Sequence, residues 1–229
     1  MIISHTHKFI FVKSEKTGGT SVEAALSNIC HGRDIVTPLG DYPFNRDEDG
    51  EWVHKSLNPD GFKQHDDAIT IKSQLPADVW DSYYKFSITR NPWDKVVSDF
   101  FWQYRQHDFD QPIRRFYHFI GYPYDELKPI RKMFKNFVKG GQWKTNDRFY
   151  IINDELCVDY IIRYEHLTEG LREVCKRVGL PELRLPHLKS GMRKRGHHYS
   201  VYYDEETRAI VSERHQHDIR LFGYIFETA

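Results

Sequence analysis

The stretch KFIFVKSEKTGGTS, Lys8–Ser21, decides how this chain folds. Its first half, Lys8–Lys13, is a short β-branched and aromatic run, the composition of a buried strand. Its second half, Ser14–Ser21, holds a glycine pair among small hydroxyl residues, and Val22, Ala25, Leu26 and Ile29 then recur at helical spacing. A loop between a strand and a helix presents unpaired backbone N–H groups and the positive end of a helix dipole. Gly18 and Gly19 let an anion approach the backbone closely, Lys16 adds a full charge, and Thr17, Thr20 and Ser21 add hydroxyl donors. A glycine turn with a solvated lysine would use the same letters, so the loop must be weighed with the rest of the chain.

The opening unit recurs downstream. Tyr84–Thr89 (YKFSIT) reads as a strand and Arg90-Asn91-Pro92 as a turn, with Pro92 at a first helical position, where its missing N–H costs nothing. Val96, Val97, Phe100, Phe101 and Tyr104 give the next helix an apolar face. Pro38–Gly61 is polar and rich in turn residues, and reads as a surface loop or small hairpin. Between Ile113 and Phe137 the spacing predicts two helices broken near Gly121–Pro123. Phe149–Ile152 and Val158–Ile162 read as strands flanking a turn at Asn153–Asp154. Glu165–Val178 reads as a helix stopped by Gly179 and Pro181, and the last helical pattern runs from Asp204 to His217. Strands alternating with helices predict an α/β fold with a central, mostly parallel sheet flanked by helices, in one domain over residues 1–229.

Composition narrows the function. Of 229 residues, 39% are hydrophobic and 15% aromatic, enough to build a folded core. Lys+Arg and Asp+Glu both number 33, so no global field draws the protein to nucleic acid or an anionic membrane. Any anion site must be a local concentration of positive charge. Cys30, Cys157 and Cys175 form no CxxC pair, which suggests neither a disulfide framework nor a zinc cluster, and the histidines are scattered without a metal-ligand spacing. Met1–Lys13 is too short and too interrupted by His5, His7 and Lys8 for a signal peptide or membrane anchor, so a cytoplasmic protein is expected.

Which anion the loop would hold follows from its order. A nucleotide-triphosphate loop reads GxxxxGK[ST], with lysine after the second glycine. Here Lys16 precedes Gly18-Gly19 and no earlier glycine is present. Phe11–Ser21 (FVKSEKTGGTS) instead resembles the 5′-phosphosulfate loop of sulfotransferases that use 3′-phosphoadenosine 5′-phosphosulfate (PAPS), in the branch of heparan- and chondroitin-modifying enzymes and their bacterial relatives. Glu15 stands where the usual form of that loop has proline. Phe86–Phe100 (FSITRNPWDKVVSDF) resembles the same family's 3′-phosphate motif, with Arg90 and, eight residues on, Ser98 at the matching positions. Ile162–Leu180 and Tyr202–Phe226 are similar to its later strand–helix segment and closing FGY region, leaving Pro38–Gly61 and about Gln103–Thr145 unmatched.

The resemblance implies a three-layer P-loop-type fold and in-line sulfonyl transfer from PAPS, with 3′,5′-adenosine bisphosphate (PAP) as the product and no metal. It assigns Lys16, Thr17, Gly18, Gly19, Thr20 and Ser21 to the phosphosulfate, and Arg90 and Ser98 to the 3′-phosphate. The basic loop Lys189–His198 is expected to close over the nucleotide, with Ser190 and Arg193 as its contacts. Lys16 would neutralise the bridging oxygen of the leaving phosphate. A hydroxyl acceptor also needs a base, and His65 leads, since resembling enzymes carry a histidine ahead of the RNP strand; His54 is second, with Glu23 and Asp66 weaker.

The acceptor is expected to be a glycan or a small hydroxylated molecule, with an amine or a peptide tyrosine also open. Two other classes compete. An ATP-dependent kinase of P-loop type would share the fold but lacks its GK[ST] order and metal-binding aspartate here. A nucleic-acid module built on KSGMRKRGHH would need a broad basic face that a neutral chain does not supply.

Overall fold

The strand expected at Lys8–Lys13 forms, but its first partner is a strand that precedes it. The computed structural model describes residues 1–39, 54–59, 61–105, 125, 127–186 and 196–229. In chain order it runs β1 (Ile2–Ser4), β2 (Phe9–Phe11), α1 (Gly19–Ser27), β3 (Ile35–Val36), α2 (Ala68–Gln74), α3 (Ala77–Ser82), β4 (Tyr84–Thr89) and α4 (Pro92–Gln103). It continues with α5 (Leu127–Gly140), β5 (Ile151–Ile152), β6 (Glu155–Leu156), β7 (Tyr160–Arg163), α6 (Leu167–Arg177), α7 (Glu205–Arg214) and α8 (Gln216–Phe222). These elements gather into two compact units, Met1–Arg90 with Asn146–Ser190, and Asn91–Thr145 with Gly191–Ala229.

The first unit holds a five-stranded sheet in the order β3-β1-β2-β4-β7. β2, β4 and β7 pair in parallel, and β1 lies antiparallel between β2 and β3. Four strands therefore share one direction and β1 alone is reversed, which gives the mostly parallel α/β sheet that the sequence predicts. Phe9, Phe11, Phe86, Ile88 and Ile162 point to one face and form a buried core with Val22 and Leu26 of α1 and Leu171 and Val174 of α6. Phe11 and Phe86 stack there at 5.0 Å. Ile10, Val12 and Ser87, on the other face, are also fully buried. A parallel sheet buried on both sides needs continuous rather than alternating hydrophobicity, and KFIFV provides it.

The second unit is helical among the described residues. Its core joins Trp93, Val96, Val97 and Phe100 of α4 to Ile130, Phe134 and Phe137 of α5 and Val211 of α7. Asn91 starts α4 by accepting at its side-chain oxygen from the N–H groups of Trp93 and Asp94, just ahead of Pro92. Asp204 starts α7 with a reciprocal capping box to Thr207.

Three local expectations are corrected. The turn Asn153–Asp154 closes a two-residue hairpin between β5 and β6, because both residues are left-handed (φ 52° and 64°), the geometry of a tight hairpin turn; the sheet strand β7 comes later. Phe149 belongs to a 3-10 turn over Asp147–Phe149 and not to a strand. The final helix is two, because His215 leaves helical geometry (φ −102°, ψ 22°) where its ring stacks on Trp143 and bonds Asp218. The helix expected ahead of Gly121–Pro123, and most of the Pro38–Gly61 loop, lie outside the described residues.

Candidate functional site

Beyond β2 the chain turns through Ser14–Thr17 into α1. Ser14 and Thr17 are buried and bond each other through their hydroxyls at 2.7 Å, and the Ser14 hydroxyl donates to the carbonyl of Ile88 on β4. The Thr17 hydroxyl thus staples the loop internally. Lys16 adopts a left-handed backbone (φ 62°), uncommon for a side-chain-bearing residue and held only where neighbours over-determine it. Gly18 caps α1 at φ 75°, and a Cβ there would meet Leu167 Cδ2 at 3.0 Å and the Tyr164 ring at 3.2 Å. At Gly19 a Cβ would meet the Lys13 stem at 3.0 Å. Gly18 is favoured both by its left-handed backbone and by close approach, while at Gly19 a Cβ would press the Lys13 stem aside by a few tenths of an ångström. Thr20 and Ser21 form the first turn of α1.

The two sequence motifs meet at this loop. Arg90, directly after β4, donates from Nη1 to the Lys16 carbonyl at 2.8 Å, and its guanidinium lies over the Tyr164 ring at 4.0 Å. A planar, always-charged guanidinium is thereby fixed beside the loop. His65 also reaches it, with Nδ1 3.0 Å from the Lys13 carbonyl. Because a carbonyl only accepts, Nδ1 carries the proton and Nε2 keeps its lone pair. Burial, and then the charge of Lys13, lower the His65 pKa to about 4, so the ring is neutral with Nε2 unprotonated, and an anion bound beside it would raise its proton affinity.

Beneath the loop lies a buried charge pair. All of α1 is buried, Glu23 included, and Lys13 Nζ donates to Glu23 Oε2 at 2.5 Å. The Met1 amino group and the Thr37 hydroxyl also bond Glu23. Burial would raise the Glu23 pKa, but the neighbouring Lys13 and Met1 amine outweigh it and hold the carboxyl at about 2. The same burial pushes Lys13 down and the Met1 amine down to about 5, so Lys13 is the lasting counter-ion at neutral pH. That leaves Glu23 a structural counter-ion and a poor base. His54 is held at about 4 by burial, and its Nε2 has no partner among the described residues. The Asp66 carboxylate is occupied by the Lys63 N–H at 2.7 Å.

The first unit thus brings together Lys16, Thr17, Gly18, Gly19, Thr20, Ser21, Arg90 and His65. Ser98 is half-buried on α4 in the second unit, and Ser190 and Arg193 lie outside the described residues. Residues that sequence reading missed are Lys13, Asn146, Arg148 and Tyr164. Asn146 donates to the Glu15 carbonyl at 2.8 Å, and Arg148 bonds the Glu15 carboxylate at 3.0 Å. Glu15, the departure from the resembling loop, is thereby tied down. No periodicity marks these residues; Asn146-Asp147 carries only a turn signal. Among the described residues no group of His, Cys, Asp or Glu could hold a metal, and no helix is long and apolar enough to cross a membrane.

This chain belongs to the sulfotransferase family, whose model matches residues 1–225. An uncharacterized protein of Archaeoglobus fulgidus is 33% identical over 120 residues, 50% of this chain and 83% of the relative. A crystal structure of a sulfotransferase from Alicyclobacillus acidocaldarius aligns over 96% of both chains at 14% identity, with a TM-score of 0.36.

Proposed function

We propose that this protein moves a sulfonyl group from PAPS to a hydroxyl or amine acceptor, with a carbohydrate as the favoured acceptor class. The observation that carries the reading is the bond from Arg90 to the Lys16 carbonyl, which joins the two motifs of one donor site. In this reading Arg90 faces the 3′-phosphate, and the backbone amides of Lys16–Ser21 with the hydroxyls of Thr20 and Ser21 face the phosphosulfate, while the Thr17 hydroxyl stays bonded to Ser14 and holds the loop's shape. The acceptor oxygen attacks sulfur, and the sulfur–oxygen bond to the 5′-phosphate breaks. The bond's electron pair leaves with the phosphate oxygen, where Lys16 offsets the new charge. The acceptor's proton passes to Nε2 of His65, whose Nδ1–H is already held by the Lys13 carbonyl. Residues 1–229 act as one sulfotransferase-like domain in this reading, supported by a family match that runs through both units.

Calorimetric titration of PAP, beside ATP with Mg²⁺, tests the donor. Metal-independent PAP binding, weakened about tenfold or more by Arg90→Ala, is expected from the loss of a charge-assisted contact. Binding of ATP with Mg²⁺ and not of PAP would replace the reading with a kinase.

A further inference from the structure

One short turn touches both the glycine loop and the histidine. Asn146 donates from Nδ2 to the Glu15 carbonyl at 2.8 Å, and Arg148 bonds the Glu15 carboxylate at 3.0 Å. The Arg148 guanidinium covers the ring of Phe149 at 4.4 Å, and the fully buried Phe149 meets the His65 ring edge-on at 6.3 Å. His65 in turn bonds the Lys13 carbonyl, which closes a ring of contacts through Glu15, Arg148, Phe149, His65 and Lys13.

We infer that Asn146–Phe149 is a positioning element that keeps the glycine loop in register with His65, with Asn146 and Arg148 as the positioning residues on the loop side. Three observations carry this. The carbonyls of two successive residues, Glu15 and Lys16, are each gripped by a side chain, Asn146 and Arg90 respectively, and Lys16 is the residue held left-handed. Such a backbone persists only under constraint from outside the loop. Second, Asn146 is 3% exposed and leaves its Oδ1 without a partner among the described residues. The Glu15 carbonyl can only accept, so the amide nitrogen must face it, and the contact with the loop is kept at the expense of a buried acceptor. Third, the Glu15–Arg148 pair is partly exposed, at 28% and 29%, where an ion pair adds little to global stability. Its role is local.

Only the kinetic arm of the test rests on the donor reading. Hydrogen exchange of the ligand-free protein, read on a peptide covering Lys13–Ser21, tests the inference directly. Glu15→Gln and Arg148→Ala should each speed exchange of the loop amides about threefold or more, and the double variant should be no faster than either single one, as for two ends of one contact. Arg148→Lys should restore part of the protection, while a peptide covering Leu127–Gly140 stays unchanged. If Arg148→Ala fails to fold, Glu15→Gln carries the test alone. Unchanged loop exchange in Glu15→Gln, or fully additive effects in the double variant, would overturn the inference. In the kinetic arm, PAPS hydrolysis by water is the readout. Arg148→Ala should lower kcat about tenfold while PAP affinity changes less than about threefold, the split expected of misplaced groups. Loss of PAP affinity with unaltered loop exchange would make Arg148 a ligand cation and sink the positioning role. A wild type that binds no PAP would refute the donor reading and leave the exchange result to decide the inference.

Discussion

His65 owes its chemistry to two neighbours, the Lys13 carbonyl that fixes its tautomer and the burial that keeps it neutral. If it is the base, kcat/KM rises with pH as the imidazole loses its proton, so the acidic limb should sit near pH 4 and the profile stay flat from about pH 5 to 7. Binding an anionic donor beside the ring favours imidazolium, so the limb in kcat should lie higher than that in kcat/KM. His65→Asn should cost about 10²–10⁴-fold in kcat, the usual worth of a general base. An acidic limb in kcat/KM at pH 6.5 or above would assign the proton to another group. The residue types of this site were legible in the sequence because charge, hydroxyl and glycine cluster within KTGGTS and again at Arg90. The Lys13–Glu23 pair and the Asn146–Arg148 contacts were not, since long-range pairing of polar side chains leaves no period in the chain.

At the scale of elements, the loop depends on the space left to it by Leu167 at the start of α6 and by Tyr164 in the 3-10 turn Tyr164–His166 just before it. Gly18 combines a left-handed backbone with contacts to Leu167 and Tyr164, the ring that also supports Arg90. Gly32 has the same handedness (φ 61°), with nothing within 4 Å of its virtual Cβ. Gly32→Ala should therefore cost only backbone strain of about 1–2 kcal/mol. Gly18→Ala adds steric displacement, and should lower Tm further and weaken PAP binding, while Gly32→Ala leaves binding intact. Equal losses of Tm at the two positions would show that the contacts of Gly18 do not matter. The elements themselves were read well where pattern and punctuation agree: Tyr84–Thr89 and the Pro92 start of α4 match the structure. They were read poorly where tertiary contact decides. β1 is three residues long and is buried by pairing on both sides, not by any signal of its own, and His215 breaks a helix through its stacking on Trp143.

For the molecule as a whole, the buried ionisable groups set the response to acid. His54 and His65 have folded pKa values of about 4 against 6.5 for the ordinary ring, so between those limits the unfolded chain binds more protons and stability falls as pH falls. Glu23, at about 2 against 4.5, extends the loss below that window. The urea midpoint should accordingly decline from pH 7 to 4 and decline further toward pH 2, and Glu23→Gln should flatten the lower part of the curve. A midpoint constant from pH 7 to 4 would mean that the two histidines are not buried neutral. The mostly parallel sheet was predictable from alternating strands and helices, whereas the gathering of residues 91–145 and 191–229 into their own unit was not. That unit is assembled from aromatic contacts between distant segments, and no linker composition marks its borders.

Trp143 is 1% exposed, stacked within 5° of the His215 ring and covered by the Arg214 guanidinium at 4.2 Å. An indole so enclosed emits at short wavelength and is shielded from collisional quenchers such as iodide until its own surroundings open. With the other four tryptophans replaced by phenylalanine, Trp143 becomes an intrinsic optical reporter of the second unit, whose loosening can then be followed by light without attaching a dye.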